Sequence, residues 1–73
     1  MNADERKAFG QWLRWQRIDC GMSVRELAEL LEVDVTTIYN VERGVHLPRM
    51  GTLHQWLAFV GIDLLKRLGV TPP

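Results

Sequence analysis

A chain of 73 residues that is 47% hydrophobic and 25% charged reads as one small folded unit, too apolar for a disordered tail. No apolar run approaches the roughly 18 residues of a membrane span, MNADERKAFG lacks the apolar stretch of a secretory signal, and a lone cysteine, Cys20, suits a reducing cytoplasm. Nine basic residues balance nine acidic ones, so the chain as a whole carries no field that would attract a polyanion.

Asn2 followed by Glu5 forms the pattern of a capping box, opening a first helix that runs to about Asp19 and stops at Gly21. Phe9, Leu13 and Cys20 share its core face with Gln16, and Trp12 stands at the edge. Cys20 there reads as a small buried apolar residue. Trp15 and Ile18 fall well off that stripe, so burying them requires a second surface, either the C-terminal helix or another subunit. A core this small is only marginally sufficient, and burial against a partner would help it.

The segment from Ser23 to Gly44 predicts two short helices joined by a tight turn. Ser23 and Glu26 make a second capping box, and Val24, Leu27, Ala28 and Leu31 form one buried stripe opposite Arg25, Glu26, Glu29 and Glu32. Asp34 is a capping candidate for the next helix, on which Ile38 and Val41 point inward. Val35, Thr36, Tyr39, Asn40 and Arg43 spread over about 140° of the opposite side. A merely solvated face would not favour Val35 and Tyr39 outside, so the spacing predicts a displayed face. Ala28 is small enough to let the two helices cross closely, as in a helix-turn-helix.

Beyond Gly44, VHLPRM is a connection in which Pro48 fixes φ ahead of a fourth helix from about Met50 to Val60, with Leu53, Trp56, Leu57 and Val60 inside and Phe59 nearby. Gly61 separates it from a last short helix carrying Ile62, Leu64, Leu65 and Leu68, and residues 70–73 fray as a tail. The expectation is an all-α domain of five short helices around one core, spanning 1–73, with no strand, repeat or linker.

Leu27-Ala28, Val33, Ile38, Val41, Glu42-Arg43-Gly44 and Pro48 resemble, at matching spacings, the phage repressor and Cro-like (XRE-type) helix-turn-helix family. The resemblance covers about Phe9 to Leu65 and implies a compact, lambda-repressor-like fold that binds double-stranded DNA as a homodimer. It implies base contacts from Val35, Thr36, Tyr39 and Asn40, whose chemistry suits A·T-rich readout: Asn can pair with adenine, Thr can bond a base edge, and Val can pack on a thymine methyl. It implies phosphate contacts from Ser23, Val24, Arg43, Gly44, His46 and Arg49, with Arg14 and Arg25 at the margins, and an ion pair between Arg17 and Glu42. It also implies a residue at positive φ in the turn, where most members have Gly and this chain has Glu32.

Between Ser23 and Arg49 three arginines face five carboxylates, so the motif itself sums to minus two. The rival reading is therefore a protein-interaction module on the same scaffold, using the acidic motif with Trp15 and Tyr39. His46 and His54 have neither a second cysteine nor metal-ligand spacing, and no phosphate loop or nucleophile and base pair appears. No catalytic residue, metal or cofactor is expected.

Overall fold

The computed structural model describes residues 1–69, which form four helices: α1 (Ala3–Asp19), α2 (Val24–Leu31), α3 (Val35–Glu42) and α4 (Met50–Arg67). Both predicted capping boxes are present. Asn2 Oδ1 accepts from Glu5 N at 2.8 Å and Ser23 Oγ accepts from Glu26 N at 3.0 Å, while each Glu returns a carboxylate to the cap amide. Asp34 occupies the N-cap position of α3 without a side-chain bond, and α3 instead starts on a backbone bond from Thr37 N to Asp34 O.

Five helices were expected, and four form among the described residues. The break placed at Gly61 does not occur, because Gly inside a helix costs only about 1 kcal/mol and the flanking apolar and charged residues are good helix formers. The helix ends instead at Gly69, which takes φ +76° and donates to Lys66 O. Arg67 secures that last turn, pairing with Asp63 one turn back at 2.7 Å and reaching the carbonyl of Asp19 at the end of α1. The tail from Val70 to Pro73 lies outside the described residues. No helix among the described residues is long and apolar enough to cross a membrane.

Leu13 from α1, Leu27, Ala28 and Leu31 from α2, Ile38 and Val41 from α3 and Trp56 from α4 make the core, with Phe9, Met22, Val24, Val33, Leu53, Phe59 and Val60 packed around it. Leu57, expected inside, is exposed, because it stands about 100° round the helix from the fully buried Trp56. Trp15 and Ile18 remain exposed as well. Cys20 is half-buried beside Asp63; burial pushes its thiol pKa up and the carboxylate adds to the shift.

The turn between α2 and α3 has three residues, Glu32 to Asp34, and Glu32 takes φ 56° and ψ 45°. Its N–H donates to Glu29 O while Val33 N–H reaches back to Ala28 O, closing the end of α2 in a left-handed cap. A side chain in that conformation is strained by about 1 kcal/mol. Glu32→Gly is therefore expected to hold or raise stability by up to about 1 kcal/mol, against the usual sign for a glycine substitution. Urea denaturation reads the difference, and a lowered midpoint would show that the turn gains nothing from relieving Glu32.

Candidate nucleic-acid interface

Helix α3 is exposed along one side and clamped along the other. Val35 and Tyr39 are 36% and 52% exposed, Thr36 and Arg43 lie open, and Asn40 is half-buried at the edge of the same face. Arg43 Nη2 donates to Asn40 Oδ1 at 3.0 Å, which orients the amide and leaves its NH₂ and the second oxygen lone pair unused by that bond. The face thus carries an apolar branch, a hydroxyl, a phenol and an amide within two turns of helix.

The clamp comes from α1. Arg17 Nε and Nη2 donate to the two carboxylate oxygens of Glu42 at 2.8 and 3.1 Å, and Arg17 Nη1 donates to Met22 O, so one guanidinium ties α1 to the end of α3 and to the approach to α2. Two turns before it, Gly10 lies against the carbonyls of Val41 and Glu42, and a turn earlier still Arg6 Nε donates to Gly44 O at 2.8 Å. These contacts fix α3 relative to the N-terminus of α2. Both halves of the expected interface therefore hang from one helix.

The residues expected to meet phosphate are not brought together in one place. Ser23 and Val24 stand at the start of α2, where the Ser23 amide is already taken by Glu26 Oε1 at 3.1 Å. The Ser23 hydroxyl hydrogen and the amides of Val24 and Arg25 remain for an anion, since those two amides have no intrahelical acceptor, whereas that of Glu26 is taken by Ser23 Oγ. Gly44 does not qualify. It is buried, its N–H donates to Val41 O at 3.0 Å, and with φ +76° and a would-be Cβ 2.6 Å from Lys7 Cα it serves the turn and the docking of α1. His46 and Arg49 are exposed, but they line a groove on the far side of α3 together with Glu32 and Asp34. Arg43 opens on the other side, toward α1.

Sequence reasoning left out Lys7 and Gln11 on α1 and placed Arg14 only at the margin of the phosphate contacts. Lys7, Gln11 and Arg14 share a cleft with Tyr39 and Arg43, and their spacing of four and three residues places them on one stripe of α1. That spacing was the available signal. An unexplained glycine in the middle of α1 was another, since such a residue commonly marks a close approach. Among the described residues no group of three or more His, Cys, Asp and Glu side chains is placed to hold a metal ion.

No curated protein matches the chain closely enough to be counted a relative. A family model described as a helix-turn-helix domain matches residues 8–72, a span that includes all four helices apart from the first turn of α1. With that match over nearly the whole chain, and α2 and α3 meeting across a three-residue turn, the protein belongs to the helix-turn-helix domain family.

Proposed function

We infer that this chain is a sequence-specific DNA-binding regulator of transcription, of the repressor, Cro-like, controller or antitoxin type, in which residues 1–73 act as one unit in the cytoplasm. The observation that carries the reading is the face of α3, where Val35 and Tyr39 are held outward beside Thr36 and Asn40 by a helix whose other side is locked in the core. In the major groove Asn40 reads adenine, Thr36 bonds a base edge, and Val35 and Tyr39 meet thymine methyls and the groove wall. Ser23, the Val24 amide, Arg43, His46 and Arg49 hold phosphates on either side.

A homodimer on a palindromic site fits the same chain. Trp15, 58% exposed, and Ile18, Leu64 and Leu68 are apolar surface that the protomer leaves uncovered, and a two-fold would place two α3 helices about 34 Å apart. The same exposed tryptophan, with the acidic α2, also favours the second reading, a module that binds another protein and no DNA.

A selection from random duplexes, followed by titrations at several salt concentrations with light scattering on the complex, separates the two. Asn40→Ala is expected to weaken the selected site by about 1–3 kcal/mol, relax one position per half-site and leave the salt slope unchanged. Arg49→Ala is expected to weaken all sequences alike and reduce the slope by about one. Equal effects of both substitutions on selected and random DNA would remove α3 as the reading helix, and a single protomer on each duplex would remove the dimer.

A further inference from the structure

We propose that the cleft between α1 and α3 is a second phosphate track, in which Lys7, Gln11 and Arg14 hold the sugar-phosphate backbone of the strand running beside the recognition helix. The proposal rests on the DNA-binding reading above and adds to it a surface that lies outside the start of α2 and the loop after α3.

The charges of the cleft suit a polyanion. The chain is neutral and its helix-turn-helix segment is acidic, yet the charges are not mixed evenly. The floor of the cleft is the Arg17–Glu42 pair, which neutralises itself. Glu42 is the one carboxylate in its lining, so Lys7, Arg14 and Arg43 stand there uncompensated, and none of the three is in an ion pair among the described residues. A concave site lined by one sign of charge concentrates its field outward and favours an extended anion.

Its dimensions suit one as well. Lys7 and Arg14 are separated by seven residues of α1, roughly 10 Å along the axis, with the Gln11 amide between them. Over that length one strand of B-DNA presents about three phosphates, one for every 3.4 Å or so of axis. Each cation can take its own phosphate and Gln11 can donate to the one between. The cleft also joins the displayed face directly, because Tyr39 and Arg43 belong to both. A duplex seated on α3 brings one of its strands against α1.

The test is the salt dependence of binding for the double variant Lys7→Gln/Arg14→Gln, measured on a selected duplex and on a random one, with Lys66→Gln on α4 as a control outside the cleft. Both cleft side chains are exposed, and a thermal melt matching the wild type confirms that the variant folds. The expected result is a salt slope smaller by about 1.8, or 0.9 for each phosphate that is no longer neutralised, with both duplexes weakened equally and the base preference intact. An unchanged slope in the double variant, while Asn40→Ala still relaxes the preference at one position per half-site, would overturn the track and leave the DNA reading standing. A decrease of about 0.9 in Lys66→Gln, the same for each charge removed, would reduce the effect to net charge and overturn it too. A wild-type protein that binds no duplex at low salt would overturn both.

Discussion

Gly10→Ala is expected to destabilise the protein by at least about 2 kcal/mol, although replacing a glycine by alanine inside a helix ordinarily gains up to about 1 kcal/mol. The reversal follows from what lies above Gly10. A Cβ there would sit 2.8 Å from Glu42 O and closer still to Val41 O, both main-chain atoms at the end of α3 that cannot swing aside. To admit a methyl group α1 must move off α3, which pulls on the Arg17–Glu42 bonds and on the Arg6 bond to Gly44. In a domain of this size 2 kcal/mol lowers the melting temperature by roughly 8–16 °C. Gly61→Ala supplies the contrast. Gly61 is also inside a helix, with nothing within 4 Å of a built Cβ, so its substitution is expected to raise stability. Equal melting temperatures for the two variants would mean that α1 and α3 do not approach as closely as Gly10 allows.

Gly10 also shows where sequence reading stops. The helices were legible because their signals are local: two capping boxes, a 3.6-residue stripe through α2, and glycines at positive φ after α1 and α3. Gly61 misled for the same reason, since a glycine predicts a stop equally well where the chain bends at Gly69 and where it runs straight. What lies between helices was less visible. Periodicity marks Lys7, Gln11 and Arg14 as one solvated stripe of α1, and only packing reveals that this stripe borders Tyr39 and Arg43 and turns three polar residues into the wall of a cleft. Gly44 went the other way. Its motif suggested an amide open to phosphate, whereas the backbone bond to Val41 and the press of Lys7 use that amide and its surroundings inside the protein.

The second large effect concerns the clamp itself. Glu42→Met is expected to cost about 3–5 kcal/mol, because it strands the Arg17 guanidinium in a place where its side chain is only 10% exposed. Arg17→Met is expected to do similar damage from the other side, leaving a carboxylate that is 4% exposed without its two donors. Arg17→Lys is expected to recover little, since an ammonium cannot span both oxygens of Glu42 and still reach Met22 O. The pair is not, on this account, a large net source of stability. Its attraction is offset by the desolvation of both charges, so the double variant Arg17→Met/Glu42→Met should be far less harmed than the sum of the singles. The bond to Met22 ties the approach to α2 to the end of α3, so the double variant is expected to fold and yet hold α3 less firmly against the start of α2. Denaturation of the two singles and the double closes the cycle. A coupling below about 0.5 kcal/mol, the level of additivity for independent sites, would mean that the two residues act separately and that α3 is positioned by Gly10, Arg6 and the core alone.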